Sequence, residues 1–200
     1  MPKLVDHDER RRNIAQAVLR IVARGGVRAA DIRSVATEAG WSTGVITHYY
    51  ADKQALLAGA LREAAEDVAG RMKAIFARKR GVARLKALLE AGMPLDDERA
   101  ATCRIFYHFA SEGLGDPAFT AEIAAFYAAW RGAVSSALRA LMDEGELAAG
   151  DPDTLATALV GLGEGLAVQG LFDAHKMPPA RLKAILGAGV DCMLSCGDAR

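Results

Sequence analysis

Apolar residues return every three to four positions along almost the whole chain, and no stretch alternates apolar and polar residues long enough to suggest a strand pair. The first stripe, Ile14, Ala17, Val18, Ile21 and Val22, predicts an amphipathic helix over about Asp8–Ala23, with Arg10, Arg11, Arg12, Arg20 and Arg24 toward solvent. Gly25-Gly26 stops it. Asp31 is placed to cap a second helix, Ile32–Ala39, which Gly40 ends. Ser42 caps a third, from Thr43 to about Tyr50, and Asp52 caps a long fourth that reaches Phe76 or beyond. Five more segments read as helices: about 83–91, 98–112, 118–144, 153–174 and 179–194, separated by Gly and Pro. The expected fold is therefore all-α, about nine helices: an N-terminal three-helix head and a helical body. The basic run Arg78-Lys79-Arg80-Gly81 marks the boundary, giving a head over 1–55, a long connecting helix over 52–80, and a body over 81–200.

Composition adds little until it is resolved along the chain. At 200 residues, 52% hydrophobic and 25% charged, the protein has enough chain for a real core. Its formal net charge is zero, but residues 1–80 hold 15 Lys/Arg against 9 Asp/Glu, whereas residues 81–200 hold 10 against 16. A basic front and an acidic rear suit a nucleic-acid-binding head on a body that does not bind nucleic acid. The N-terminus, MPKLVDHDERRR, is charged where the apolar part of a secretion signal would begin, and Glu164 and Gln169 interrupt the most apolar helix. The expectation is a cytoplasmic protein with no membrane partner. Three cysteines, Cys103, Cys192 and Cys196, imply no disulfide framework; Cys192 and Cys196, one helical turn apart, lack the further ligands of a metal site. No cofactor and no metal are expected.

The stretch from 40 to 57, GWSTGVITHYYADKQALL, carries the strongest functional signal. Counted from Ile32 as the first position of a twenty-residue window, Val35, Ala36, Ala39, Gly40, Trp41, Ile46 and Tyr49 fall at positions 4, 5, 8, 9, 10, 15 and 18. That is the pattern of a helix-turn-helix. Ala36 must be small where two helices cross, Gly40 must turn with positive φ, and the apolar positions fix the interhelical angle so that the second helix can enter a major groove. The second helix then presents Ser42 and Thr43 at its N-terminus, where hydroxyls and free N–H groups suit phosphate. Gly44 permits close approach, and Thr47 and His48 face outward toward base edges. Lys53 sits poorly for its own helix dipole, which an external phosphate explains. Arg33 and Tyr49 complete the expected DNA-binding set.

Residues about 10–57 resemble the N-terminal domain of the TetR family of bacterial regulators: Ala39–Leu57 carries the family's turn, recognition helix and aromatic-aromatic-x-acid-Lys signature. The start MPKL, Arg10-Arg11-Arg12 and the run from Ser42 to Lys53 are most similar to the BetI-like branch, the choline-responsive repressors of glycine betaine synthesis. Trp41, where a small aliphatic residue is usual, and Thr47, where tyrosine is common, depart from the pattern and bear on which operator is read.

The resemblance implies an effector pocket and a dimer interface in the body. Phe106, Tyr107 and Phe109 cluster on one helix and Phe126, Tyr127 and Trp130 on the next, at spacings that serve either ordinary core packing or a shared cavity. Glu112, His108, Glu164 and Gln169 add polarity on otherwise apolar segments, and a buried carboxylate needs a partner. The expected effector-binding set is Phe106, Phe109, Phe126, Tyr127, Trp130, Glu164 and Gln169, an aromatic and carboxylate combination that admits a choline-like cation. Gly161, Gly163, Gly165 and Gly170 crowd one helix at about 1 kcal/mol each relative to Ala. Packing within one chain or flexing for ligand entry is one account of that cost; close approach of a twofold-related copy is the other, and on it Gly161, Gly165, Leu166, Leu186 and Val190 are expected at a homodimer interface.

The chain thus reads as a homodimeric regulator, in the first instance a repressor, that binds double-stranded operator DNA and is released by a small-molecule effector. It is not read as an enzyme: no nucleophile–base motif, Gly-rich phosphate loop or dinucleotide fingerprint is present. The competing readings are a small helical enzyme or ligand carrier with a structural N-terminal bundle, and an activator on the same fold.

Overall fold

The computed structural model describes residues 7–113 and 115–197, and among them it places nine α-helices and one short 3-10 turn, Val27–Ala29. The helices are α1 (His7–Gly25), α2 (Ile32–Ala39), α3 (Thr43–Tyr49), α4 (Lys53–Arg78), α5 (Gly81–Glu90), α6 (Asp97–Gly113), α7 (Pro117–Asp143), α8 (Pro152–Phe172) and α9 (Pro179–Gly197). The N-terminal MPKL lies outside the described residues, as do the side chains of Glu112 and Cys196.

Local chemistry sets the boundaries. The Asp31 carboxylate accepts from the Ser34 N–H at 2.8 Å while the Asp31 N–H donates back to Ser34 Oγ at 2.9 Å, so two orphan donors of α2 are satisfied reciprocally. Asp151 accepts from the Asp153 N–H at 3.0 Å, and Pro152 opens α8 with its φ already suited to a helix.

The chain packs as two compact units, and their division differs from the expected boundary. One unit joins Met1–Asp67 to Arg104–Ala124; the other joins Val68–Cys103 to Ala125–Arg200. The physical reason is a shared core. Ile105, Phe109 and Phe119, from α6 and α7, are buried in one cluster with Ile14, Val18, Val35, Ile46, Leu56 and Leu61. The Phe109 and Phe119 rings meet edge-on at 5.5 Å, and Phe109 is wholly enclosed. Arg62 pairs with Glu122 and Gln54 with Asp116 at the rim of this unit.

In the second unit α8 and α9 pack on each other, and α5 packs on both. Its core includes Leu85, Leu88, Met93, Trp130, Leu138, Leu159, Leu182, Leu186 and Val190. Trp130, 1% exposed, donates its indole N–H to the Leu88 carbonyl at 3.1 Å. Its ring lies so close to Gly92 that a Cβ there would meet Cη2 at 2.4 Å. The glycine-rich α8 is long and apolar enough, by length and composition, to cross a membrane, yet 39% of its apolar window is buried against its own chain. Gly163 and Gly170 lie on that inner face, Gly170 against Leu182 and Pro94.

Candidate nucleic-acid interface and ligand-binding residues

The turn between α2 and α3 is built as its residues require. Gly40 adopts φ 71°, ψ 29°, the left-handed conformation that costs glycine no steric strain, and its N–H returns to the Ala36 and Thr37 carbonyls. Nothing lies within 4 Å of where a Gly40 Cβ would point, so the demand is conformational rather than spatial. Ala36 is 4% exposed and Ile46 fully buried, which places the small residue and the apolar anchor inside the head's core. Ser42 then caps α3, its Oγ accepting from the Val45 N–H at 3.3 Å.

This arrangement leaves Ser42, Thr43, Gly44, Thr47 and His48 exposed on one short helix, with Arg33 exposed on α2 and Lys53 exposed at the start of α4. Thr47 Oγ1 donates to the Thr43 carbonyl at 3.2 Å and the Gly44 carbonyl at 3.3 Å. Its donor proton is thus engaged within α3, and what remains for a partner is an acceptor lone pair and the methyl group. Lys53 Nζ donates to the Arg28 carbonyl at a long 3.4 Å, and its charge acts on the Asp31 carboxylate nearby. Tyr49 is half-buried and braced from two sides: His7 Nδ1 lies 2.9 Å from its hydroxyl, and the His48 ring meets it edge-on at 5.1 Å.

Three contacts in the head lie outside what helix periodicity reveals. The Arg10 guanidinium stacks over the Trp41 ring at 4.8 Å, which gives the unusual tryptophan of the turn a cationic partner. Glu38 accepts from Arg20 at 2.7 Å and Arg24 at 2.5 Å, tying α1 to α2; those two guanidiniums, Arg20 first, hold its carboxyl below the usual range.

The expected effector residues divide between the two units. Phe109 is enclosed in the head unit's core, and Phe106 packs half-buried against it. Phe126, Tyr127, Trp130, Glu164 and Gln169 belong to the other unit. There the Tyr127 hydroxyl donates to Glu164 Oε1 at 2.7 Å, and Phe126 flanks Tyr127 at 5.6 Å and Trp130 at 6.0 Å. Burial first, and the Glu164 carboxylate second, push the Tyr127 phenol well above its ordinary range, so it stays a donor. Trp130 is packed all round and serves as a wall. Gln169 is exposed and donates to its own helix at Gly165. Phe126, Tyr127 and Glu164 are all half-buried, two aromatic rings and a carboxylate of the kind that suits a cation.

The expected dimer residues also separate. Leu166, Leu186 and Val190 are 5%, 1% and 0% exposed, buried within their own chain, whose α8 and α9 pack on each other. Gly161 and Gly165 face the other way, exposed, with nothing within 4 Å of a Cβ at either. Ala158 on α8 and Ala184, Ala188 and Cys192 on α9 are exposed as well. Among the described residues no group of three or more His, Cys, Asp or Glu is arranged to hold a metal ion.

Comparison with known proteins finds transcriptional regulators. Residues 81–195 match the family described as BetI-type transcriptional repressor, C-terminal. The chain is 31% identical over 195 residues to the HTH-type transcriptional regulator PksA of Bacillus subtilis, covering 93% of this chain and 90% of that one. It is 31% identical over 119 residues to the HTH-type transcriptional regulator BetI of Burkholderia cenocepacia, covering 58% of this chain and 61% of that one. Among solved structures, a transcriptional regulator from Rhodococcus sp. Rha1 superposes with a TM-score of 0.84 at 23% identity, over 95% of this chain and 98% of that one. A regulator from Saccharomonospora viridis, solved in complex with choline, gives 0.83 at 24% identity, over 92% and 97%. At these identities the two structures speak for the fold.

Proposed function

The chain belongs to the TetR family of helix-turn-helix transcriptional regulators, with a BetI-type C-terminal domain, and we propose that within it this protein is a cytoplasmic, homodimeric repressor that binds operator DNA through α3 and releases it on binding a small cation. Family membership replaces the enzyme and carrier readings with a regulator.

The observation that carries the DNA-binding reading is the exposed face of α3. Gly40 and Ser42 aim a helix whose outward residues, Thr43, Gly44, Thr47 and His48, have no part in the core, with Arg33 and Lys53 supplying positive charge beside it. In a twofold dimer two such helices meet half-sites about 34–36 Å apart, or a multiple of that. The exposed small residues of α8 and α9 support the dimer: Gly161, Gly165, Ala184 and Ala188 let a second copy approach closely, and covering α8's outer face accounts for apolar surface its own chain leaves open.

For the effector, Glu164 supplies a carboxylate oriented by Tyr127, with Phe126 alongside, and the choline complex of the Saccharomonospora viridis regulator supports a quaternary ammonium ligand on this fold. Such a ligand acts through its differential affinity for two states; a coupling of about 1–3 kcal/mol changes DNA affinity about 5–150-fold.

The experiment is a salt titration of binding to duplex from the gene's own upstream region and to a randomised duplex library, with and without choline. Sequence-selective binding that weakens steeply with salt and is relieved by choline is the expected result. Selective binding indifferent to choline removes the cation from the proposal, transcriptional stimulation from the bound site makes the protein an activator, and absence of any selected sequence sinks the α3 reading.

A further inference from the structure

The face of α1 that fills the head's core continues past the core with two polar residues. Ile14, Ala17, Val18 and Ile21 form its buried part; one and two turns earlier, Arg10 and His7 lie on the same face. Their partners are the aromatic residues at the two ends of α3. The Arg10 guanidinium lies over the Trp41 ring, 4.8 Å from its centre, and Trp41 is joined directly to Ser42, the residue that caps α3. His7 Nδ1 lies 2.9 Å from the hydroxyl of Tyr49, the last residue of α3. The first turn of α1 is thereby pinned to both ends of α3, across the roughly 10 Å that its seven residues span.

Arg10 is held by a ring rather than by a carboxylate. Further along α1, Arg20 and Arg24 give their charge to Glu38. Arg10 makes no ion pair or hydrogen bond among the described residues, and the enclosed, unpartnered side-chain nitrogens there belong to Arg71, so the Arg10 nitrogens stay open to solvent. Asp8 and Glu9, its neighbours in sequence, lie on other faces of the helix, and Asp8 lines a groove toward α4 with Arg11 and Arg12. A guanidinium set over an indole gives one face to the ring but keeps its in-plane N–H donors, and the ring fixes where they point. The result is a half-buried, unneutralised cation, already oriented, beside the start of the proposed reading helix. Such a group is matched by an anionic oxygen, and the one that DNA carries along the flank of a groove is the backbone phosphate.

We propose that the first turn of α1 is a second DNA-contacting element, in which Arg10 takes a backbone phosphate beside the groove that α3 enters and Trp41 is the positioning residue that holds Arg10 for it. The inference rests on the DNA-binding reading of the head, from which it takes only that DNA approaches the α3 side. A phosphate contact carries no sequence information, so Arg10 strengthens binding to selected and unselected DNA alike, while the choice of sequence stays with α3.

The test follows fluorescence anisotropy of two labelled duplexes, the sequence selected from the library and a scrambled one, across a salt series with the full-length protein. The variants are Arg10→Ala, Trp41→Leu, the two combined, and Lys73→Ala as a control for charge alone, each checked for a wild-type melting profile. Arg10→Ala lowers the slope of log K against log salt by about 0.9 for each chain engaged, on both duplexes. Lys73→Ala removes an exposed lysine from the other unit and leaves the slope unchanged. Trp41→Leu keeps every charge and weakens both duplexes about two- to fivefold, the equivalent of one exposed cation–π contact. In the Arg10→Ala background it costs nothing more, as a residue acting through Arg10 requires. An unchanged slope in Arg10→Ala overturns the proposal, and so does a Trp41→Leu loss that is the same with and without Arg10. The two readings fail separately: selective binding whose slope ignores Arg10 rejects the phosphate contact and leaves α3 in place, whereas Arg10-dependent binding with no selected sequence rejects α3 as the reader and leaves the contact. Binding to neither duplex rejects both. Should Arg10→Ala melt early, Arg10→Gln removes the charge with less loss of side chain and carries the same slope test.

Discussion

Replacing Tyr127 by phenylalanine removes one oxygen and leaves the ring in place, which makes it a clean probe of the Tyr127–Glu164 bond. The bond is short, 2.7 Å, half-buried and made to a carboxylate. Hydrogen bonds to charged groups contribute about 1.5–3 kcal/mol, and partial exposure argues for the lower end. For a chain of this size each kcal/mol moves Tm by about 2–4 °C, so Tyr127→Phe should lower it by about 3–6 °C near neutral pH. The pH dependence is more specific. The folded phenol is held well above its unfolded value, by burial first and Glu164 second. A raised pKa stabilises the fold fully below the unfolded pKa of about 10, and that contribution is lost progressively as pH rises above it. At pH 10.5 the unfolded phenol is mostly ionised and the folded one is not, which costs the wild type about 0.8 kcal/mol that the phenylalanine variant does not lose. Urea unfolding of both proteins at pH 7.5 and 10.5 measures this, and subtracting one from the other cancels the remaining tyrosines, including Tyr50, whose phenol burial also raises. A gap between the two proteins that is under about 0.5 kcal/mol at pH 7.5, or that does not narrow at pH 10.5, would show that the hydroxyl is solvated and Glu164 is oriented by something else.

The remaining expectations are simpler. Glu164→Gln keeps the hydrogen bond's shape and removes the charge; it should weaken choline binding about tenfold or more in calorimetry while DNA affinity without choline stays unchanged. Lys53→Ala should reduce the slope of log K against log salt by about 0.9 with little change in sequence preference, and an unchanged slope would remove Lys53 from the interface. Gly92→Ala places a methyl 2.4 Å from a Trp130 ring that its N–H bond and full burial hold still, and should cost about 1–3 kcal/mol in thermal unfolding; Gly70→Ala, in open space on α4, should instead gain up to about 1 kcal/mol. Gly165→Glu adds a charge to the exposed face of α8 and should shift the protein from dimer to monomer in light scattering, with the helix content retained.

Where sequence and structure agree, the governing physics is local. Asp31, Gly40, Ser42 and Asp52 act on backbone groups within four residues of themselves, and all four do in the structure what their types require. Where they differ, the deciding contact is distant. The spacing of Phe106 and Phe109 reveals a shared helix face but not the neighbour that covers it, and the neighbour is the buried cluster that also holds Ile14 and Leu61. The glycines of α8 look alike in sequence. Gly163 and Gly170 turn out to admit Trp130, Leu182 and Pro94, while Gly161 and Gly165 admit nothing among the described residues. Leu166, Leu186 and Val190 were legible as apolar and interfacial in type, but a residue's type does not tell whether it faces a helix of the same chain or of a copy. The bonds between Arg62 and Glu122 and between Arg10 and Trp41 join residues with no periodic relation, and nothing short of the folded chain pairs them.

The core shared by α1, α4, α6 and α7 also bears on how such a protein can be recombined. A gene segment ending at Arg80 encodes every residue of the α2–Gly40–α3 turn but omits Ile105, Phe109 and Phe119, which fill the same interior as Ile14 and Leu61. Grafting that segment onto a foreign sensor would leave an apolar socket with no plug, unless the recipient brings its own side chains of matching volume. Chimeric regulators built from this chain should therefore exchange residues 104–124 together with the first 67, as two cassettes from one parent. In evolutionary terms, the first 67 residues and that short insert are expected to drift as a linked pair.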